Sequence, residues 1–171
     1  MGLKREIRMS RGLRPSRWPV VLGTLLSTAT LAACQTSTTG PGRVVDGLRY
    51  SVASFDVAES FPVQIGITVR IENESTTSQS VTFPDGCVVL MRAYGEGTEP
   101  AWDMGNAVGC ITMLIQVDLA PGESKEYQTG LVSAQTILGE DLPNGYYRIT
   151  AYLRPGEIVE LDAGTTDLSV P

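Results

Sequence analysis

The side chains of this 171-residue chain that could carry chemistry are three cysteines and 19 carboxylates, and the chain contains no histidine. Without histidine, it cannot by itself build a Ser-His-Asp triad, a Cys-His pair or a histidine-ligated zinc site. Cys34 differs from Cys87 and Cys110 because it directly follows an apolar run. The chemistry open to the chain is therefore that of cysteine modification, disulfide formation and carboxylates.

Acidic residues cluster near the carboxyl end, at Glu140 and Asp141 and again at Glu157, Glu160 and Asp162. A pair of carboxylates could hydrolyse a glycosidic bond, but Glu157 and Glu160 are predicted to point to opposite faces of one strand. Calcium binding is another use of such oxygens, although no Asp-x-Asp-x-Asp-Gly pattern occurs. We favour solvated surface charge, and we expect no enzymatic activity, no cofactor and no metal.

The amino terminus has the layout of a secretory signal. Basic residues up to Arg17 precede an apolar run from Trp18 to Ala33, which is too short and too polar for a comfortable membrane span. The run ends in Leu-Ala-Ala-Cys, which resembles a bacterial lipobox and makes Cys34 the expected lipidation site. Acyl chains there would hold the protein on a membrane. A plain signal peptide with an accidental cysteine is the alternative, and Met9 is an alternative start.

Three segments follow from this reading of the chain. Residues 1–33 are the predicted signal peptide, 34–43 a flexible tether without apolar periodicity, and 44–171 the folded domain. Gln35 and Thr36 are not acidic, and in a double-membrane bacterium this pattern resembles lipoproteins of the outer membrane, which face the periplasm or the cell surface. Residues 1–33 hold six of the 13 basic and one of the 19 acidic side chains, which leaves a formal charge of −11 on the remainder. Such a surface disfavours nucleic acid as a partner.

The domain shows the period-two alternation of β-strands. The clearest cases are 63–71 and 147–153, and 111–119 repeats the pattern with apolar residues at every odd position from Ile111 to Leu119. Shorter strands are predicted at 48–55, 79–83, 87–94, 124–131 and 157–161, and a single helical turn at 134–138. Seven to eight short strands separated by Gly, Pro and Asn turns predict an all-β, antiparallel β-sandwich.

Cys87 and Cys110 are the remaining cysteines, and export would permit a disulfide between them. A hairpin that pairs Tyr94 with Glu99 would bring Cys87 opposite residue 106, close to Cys110. The bridge would close a loop of about 24 residues and contribute ~3 kcal/mol. Two free buried thiols and a zinc site are the alternatives, although two cysteines without histidine make a poor metal site.

Two surfaces are candidates for binding a partner. One is the outer face of the strand around 146–154, because Tyr and Arg are enriched at binding hot spots, although an ordinary solvated strand face is the alternative. The other is the hairpin tip that begins with Arg92 and Tyr94 and ends at Pro100. The side chains that alternate toward the outer face of 146–154 are Tyr146, Arg148, Thr150, Tyr152 and Arg154.

Three further features occur in a fixed order: Trp102 on the return arm of the hairpin, the turn Leu-Ala-Pro-Gly-Glu at 119–123, and Pro-Asn-Gly-Tyr-Tyr at 143–147. Together they resemble the BsuPI-type intracellular proteinase inhibitor domain over roughly residues 60–155. The resemblance implies an immunoglobulin-like sandwich and a protease as partner. Trp102 is then expected as a large apolar anchor, and Tyr147 as a tyrosine-corner residue whose hydroxyl bonds to nearby backbone.

The sequence thus favours an exported, membrane-anchored lipoprotein whose immunoglobulin-like domain binds another protein. If the domain inhibits a protease, it should do so by occluding the protease with a loop, since the chain has no reactive side chain suited to covalent inhibition. The alternative is a structural or assembly lipoprotein of the cell envelope with no inhibitory activity.

Overall fold

The computed structural model describes residues 42–171. The predicted signal peptide (1–33), the lipidation site Cys34 and nearly all of the tether (34–43) lie outside the described residues. Among the residues that are described, no helix is both long enough and apolar enough to cross a membrane.

The described part consists of strands with two single-turn helices, as predicted for an all-β protein. The strands are β1 (Arg43–Val45), β2 (Leu48–Ala58), β3 (Gln64–Asn73), β4 (Gln79–Phe83), β5 (Leu90–Tyr94), β6 (Trp102–Asp103), β7 (Ile115–Leu119), β8 (Ser124–Gln128), β9 (Val132–Ser133), β10 (Gly145–Leu153) and β11 (Val159–Leu168). The helices are α1 (Met104–Ala107) and α2 (Ala134–Leu138).

The strands form two main sheets and a separate pair. The first sheet has the order β1-β2-β3-β8, and β9 also pairs with β3. The second has the order β11-β10-β5-β6, while β4 and β7 form a two-stranded sheet. Every strand pair among these elements is antiparallel. The prediction of an antiparallel sandwich is therefore confirmed, with additional strands of two or three residues at its edges.

The core lies between these sheets and is built by the predicted alternation. In β3, Ile65, Ile67, Val69 and Ile71 are all buried, whereas Arg70 between the last two is exposed. One continuous apolar cluster joins these side chains to residues of both other sheets. Burying each large aliphatic side chain contributes roughly 1.5–3 kcal/mol, so this shared cluster holds the sheets together.

Two predicted elements match the structure closely. The strand at 79–83 is β4, and the helical turn at 134–138 is α2. Helix α2 begins after Ser133, whose hydroxyl accepts a hydrogen bond from the Thr136 amide at 3.1 Å. This is the N-cap arrangement that serine favours, and it explains why so short a helix has defined ends.

The predicted strand at 111–119 is wrong in its first half. Strand β7 begins at Ile115, and residues 111–114 are exposed and lie outside the helices and strands. The ladder with β4 ends where Phe83 pairs with Ile115. The next residue on the β4 side is Pro84, which has no N–H to continue a ladder. The alternation at 111–114 is real in the sequence, but it has no partner strand to pair with.

Other predicted boundaries also differ. The strand predicted at 87–94 begins at Leu90, and the return arm of the hairpin shortens to β6. Strand β11 runs from Val159 to Leu168, well beyond the predicted 157–161. Its second half contains glycine and aspartate, which are rare in strands, but pairing along almost all of β10 keeps it extended.

Trp102 and Tyr147 lie at the core as structural side chains. Tyr147 is buried, and its hydroxyl donates to the Pro143 carbonyl at 2.7 Å, which is the geometry of a tyrosine corner. Trp102 is partly buried and packs against the shared apolar cluster. Both residues fix the ends of strands that carry the candidate site.

Candidate functional site

Cys87 and Cys110 form a disulfide, with their Cα atoms 5.6 Å apart. That separation lies within the usual range for disulfide-bonded cysteines. The pairing is the one favoured from the sequence, and it excludes the two alternatives, free thiols and a zinc site. The bridge joins the residues just before β5 to the residues just before β7.

The hairpin argument for this bridge used the wrong register. The predicted hairpin pairs Tyr94 with Glu99, whereas the structure pairs Ala93 with Trp102 and Arg92 with Asp103. The shift of two residues lengthens the tip of the hairpin. It also brings Cys87 opposite a residue that lies closer to Cys110. The predicted bridge is therefore correct, although the residues first placed opposite each other are not.

At Cys110 the bridge anchors a segment that we call the braced loop, residues 104–114. It begins with α1, continues through residues 108–114 outside regular structure, and contains no charged residue. Met104 packs against the core, but three other large apolar side chains are exposed: Ile111 is 65%, Met113 50% and Leu114 72% accessible. Three exposed aliphatic residues grouped on one uncharged loop form a surface suited to contact with another protein.

A second segment, residues 83–87, supports the tip of the braced loop. Besides the disulfide and the Phe83–Ile115 pair, the Gly86 amide donates to the Ile111 carbonyl at 3.0 Å. A side chain at Gly86 could not be accommodated unchanged, because its Cβ would lie 2.5 Å from the Ile111 side chain. Three attachments therefore hold the backbone at 110–115 against one short stretch of chain.

The supporting segment is itself held by a salt bridge. The Asp85 carboxylate accepts a hydrogen bond from the Cys87 amide at 3.0 Å, and its other oxygen accepts one from Arg154 at 2.6 Å. The Nε of Arg154 is buried and has no hydrogen-bond partner. Arg154, predicted as a partner contact, thus ties the end of β10 to the support of the loop.

An open groove of about 410 Å³ lies beside the loop. Leu114 and Ile158 line it together with Pro84 and Arg154. Ile158 is also exposed, so the apolar surface continues from the braced loop onto the turn between β10 and β11. This end of the sandwich therefore presents apolar groups from two separate loops.

The start of the braced loop, next to Asp103, is fixed by polar contacts. We call this group the polar cluster: Arg92, Tyr94, Asp103, Thr150, Tyr152 and Glu160. Arg92 donates to Asp103 at 2.8 Å and to Glu160 at 2.9 Å, and its guanidinium lies 4.0 Å from the centre of the Tyr152 ring. Both carboxylates are mostly buried, and Arg92 compensates their charges.

The carboxylates of the polar cluster have further donors. Tyr152 donates to Asp103 at 2.7 Å, while Tyr94 and Thr150 donate to Glu160 at 2.5 and 2.8 Å. Asp103 is also the N-cap of α1, where it accepts from the Gly105 amide at 2.8 Å. The polar cluster therefore fixes the first residues of the braced loop.

These contacts set the protonation states of the cluster. Burial raises the pKa of Asp103, but the bonds from Tyr152 and Arg92 outweigh it, and the pKa lies below its ordinary value. The pKa of Glu160 is lowered in the same way, with burial opposed by Tyr94, Thr150 and Arg92. Burial, with the bond to Asp103, raises the pKa of Tyr152 to about 12. Both carboxylates are thus ionised and both phenols neutral near pH 7.

The predicted stripe on 146–154 is not a continuous exposed face. Tyr146 is 78% accessible and Arg148 is exposed, but Thr150 and Tyr152 are only 1% and 3% accessible. The reason is that Arg92, Asp103 and Glu160 of the neighbouring strands cover them. The expectation of an open face is therefore wrong for its central residues.

The hairpin-tip candidates lie in the same environment. Tyr94 is buried, and the guanidinium of Arg148 covers its ring at 4.1 Å from the centre. Arg92 is largely enclosed by its two carboxylates. Partner binding by the six residues proposed from the sequence stays a prediction, and Tyr146 and Arg148 offer the most accessible side chains among them.

The acidic residues near the carboxyl end do not act as one group. Glu157 is exposed and precedes β11, whereas Glu160 belongs to the polar cluster, so the interpretation of Glu160 as solvated charge is wrong. Among residues 42–171, one group of potential metal ligands lies close together: Asp85, Cys87 and Cys110. Their two sulfur atoms are joined in the disulfide, which leaves a single carboxylate.

Sequence reasoning missed Asp85, Gly86 and Asp103, and it assigned no site role to Met113 or Leu114. Asp103 had a usable signal, because aspartate directly before Met-Gly-Asn-Ala is a common N-cap. The sequence contains no signal for the exposure of Met113 and Leu114, since the alternation at 111–114 is also typical of a strand.

The chain is similar to a known protein family and to several solved structures. No curated protein sequence matches the chain. Among solved structures, a β-glucosidase from Listeria innocua is similar to 68% of this chain at 10% identity, with a TM-score of 0.39. The same enzyme in complex with laminaribiose is similar to 67% of it at 11% identity, with a TM-score of 0.37. In both cases the chain spans 16% of the length of the enzyme.

A family model described as "BsuPI: Intracellular proteinase inhibitor" matches residues 52–158. The match contains the braced loop, its support and most of the polar cluster. It also contains the three features at 102, 119–123 and 143–147 on which the resemblance depended. This chain belongs to the BsuPI intracellular proteinase inhibitor family.

Proposed function

We propose that this protein is an exported, lipid-anchored inhibitor that binds a protease and occludes its active site with a loop. The family description names proteinase inhibition, and a protease is the partner that such a domain implies. The lipobox-like sequence before Cys34 supports export and anchoring in a bacterial envelope, most simply the outer membrane. The disulfide agrees with an oxidising compartment, because such bridges persist in exported proteins.

The observation that carries the inhibitory part of the proposal is the braced loop. Exposed aliphatic side chains lie on an uncharged segment whose tip is held by a disulfide, a backbone hydrogen bond and a strand pair. A loop that is rigid before binding loses little conformational entropy on binding, which favours tight association. Occlusion needs no nucleophile, so it fits a chain without histidine.

The test is titration of proteases with the mature, lipid-anchored protein extracted from the envelope in mild detergent. Its mass should show acyl chains on Cys34 and the loss of two hydrogens for the disulfide. We expect stoichiometric inhibition of at least one serine protease in a panel that includes trypsin, chymotrypsin, elastase and subtilisin. A mature protein that leaves every protease in the panel fully active contradicts the inhibitory proposal.

A second candidate is docking of an envelope protein without inhibition. The observation that favours it is Tyr146, which is 78% accessible and lies on the same strand as the exposed Arg148. Tyr and Arg together are typical of interface hot spots. Photo-crosslinking from position 146 should then capture an envelope component, and Tyr146→Ala should abolish the crosslinked partner's co-purification while leaving protease titration unchanged.

A further inference from the structure

The free part of the braced loop is three residues long. The Cys110 disulfide and the bond from Gly86 to the Ile111 carbonyl fix one side, and the start of β7 at Ile115 fixes the other. Between these anchors lie residues 112–114, all exposed and outside regular structure. A short segment held at both ends projects its side chains in a restricted set of directions, as an insert into a protease cleft must.

The side chains of this segment select one class of pocket. Leu114 is 72% accessible, the most exposed aliphatic side chain of the braced loop. Residues 104–114 contain neither lysine nor arginine, whereas the acidic pocket of a trypsin-like enzyme requires a basic side chain. Arg154 lines the groove beside Leu114, but its guanidinium is already bound to Asp85. The segment therefore fits a hydrophobic protease pocket.

The surface next to Leu114 is also apolar. It lines the open groove with Ile158 and Pro84, so a protease that accepts Leu114 would meet further apolar surface on one side. Apolar pockets lined by few polar groups bind aliphatic side chains and reject charged ones, because a buried charge without a partner is costly. The specificity of the contact should therefore depend on the absence of charge at position 114.

Resting on the proposed inhibitory function, we infer that Leu114 is the specificity-determining residue, and that the partner is a protease whose primary pocket accepts a large aliphatic side chain. Trypsin-like proteases should be poor partners of the native protein. Met113 and Ile111 precede Leu114 in the loop and contribute contact area without setting the class of protease.

The experiment replaces single exposed aliphatic residues by arginine in the full mature protein. Leu114→Arg should weaken inhibition of elastase-, chymotrypsin- or subtilisin-type enzymes by at least about tenfold and create inhibition of trypsin. Leu131→Arg is the matched control, because Leu131 is also exposed but lies in the loop before β9. It should change neither activity, and thermal unfolding of both variants should confirm that they fold.

The outcomes separate the two proposals. If the native protein inhibits a protease but Leu114→Arg inhibits it equally well and does not inhibit trypsin, the role of Leu114 is wrong and inhibition stands. If Met113→Arg, but not Leu114→Arg, produces the switch, the assignment to Leu114 is also overturned. If the native protein inhibits trypsin best, the inferred class of protease is wrong. If it inhibits no protease, the proposed function fails, and the inference fails with it.

Discussion

The two ends of the braced loop are held by different kinds of interaction. At its start, the polar cluster holds three partly buried charged side chains and fixes Asp103 through hydrogen bonds. At its end, a covalent bond and backbone contacts to residues 83–87 hold a segment that carries exposed apolar side chains. The polar cluster thus fixes side chains at the start of the loop. The disulfide and the backbone contacts fix the main chain at its end and leave the side chains free.

That difference bears on function. A side chain that must enter a partner cannot also be bonded within its own domain, so the exposed tip can be held only through its main chain and the disulfide. The polar cluster has the reverse property, because its tyrosines and arginine are occupied by carboxylates. We therefore expect the cluster to contribute stability and the tip to contribute recognition, and the following changes test that division.

Removal of the disulfide should have the largest effect. In the double variant Cys87→Ser/Cys110→Ser, a loop of about 24 residues is no longer closed, and the free energy of unfolding should fall by roughly 3 kcal/mol in the chain-entropy model. Inhibition should weaken as well, since the tip keeps only its weaker attachments. Chemical denaturation and protease titration measure the two effects, and reduced native protein is the control that should behave like the variant. Unchanged inhibition by a folded double variant would show that the covalent brace is not needed for recognition.

Arg92→Ala should be the next most harmful change. It leaves Asp103 and Glu160 mostly buried without their cation, and we expect a loss of roughly 2–3 kcal/mol after allowance for their partial exposure. Arg70→Ala is the matched control, because Arg70 binds Glu126 at 2.6 Å but both side chains are about half exposed. That variant should lose less than about 1 kcal/mol.

Equal losses in the two arginine variants would remove the distinction between buried and exposed ion pairs. The comparison also tests the division of roles. Protease titration with a folded Arg92→Ala protein should show a smaller loss of inhibition than the disulfide variant, because the tip at 110–115 keeps all three of its attachments.

Local signals in the sequence explain which elements could be predicted. The strand 79–83 and the helical turn 134–138 were predicted to the residue, since their alternation and cap are set by neighbouring residues. The disulfide could also be predicted, because two cysteines remained once Cys34 was assigned to lipid. These features need no knowledge of which distant strands meet.

The polar cluster could not be predicted in that way. Arg92 and Glu160 are separated by 68 positions, and they meet because β5 and β11 both flank β10. A period-two pattern shows which residues share a face but not which other strand covers that face. For the same reason Tyr152 was expected to be open to a partner, and the apolar alternation at 111–114 was expected to form a strand.

Acidification should produce a smaller, reversible version of the Arg92→Ala effect. The pKa values of Asp103 and Glu160 are below their ordinary values, so their contribution to stability is complete above the ordinary carboxyl pKa of about 4. It is lost as the pH falls through their folded-state pKa values, because the folded protein then has to take up protons that the unfolded chain has already bound. The loss is smaller because protonation removes charge but leaves the side chains packed.

Denaturation curves of native protein and Arg92→Ala between pH 7 and pH 3 measure this contribution. In the variant, both carboxylates lack the cation that lowers their pKa, so stability should depend less steeply on pH below about 4. Parallel curves for the two proteins would mean that other carboxylates dominate the acid response.

The smallest expected effect on stability comes from Gly86→Ala, and it tests the tip most directly. The added Cβ would lie 2.5 Å from the Ile111 side chain, which is exposed and can move aside, so the loss should stay under about 1 kcal/mol. Inhibition should fall more than stability, because the displaced side chain belongs to the recognition surface. Gly109→Ala is the matched control, since nothing lies within 4 Å of its Cβ position. If both alanine variants inhibit as well as the native protein, the position of Ile111 does not matter for binding, and the supporting segment serves stability alone.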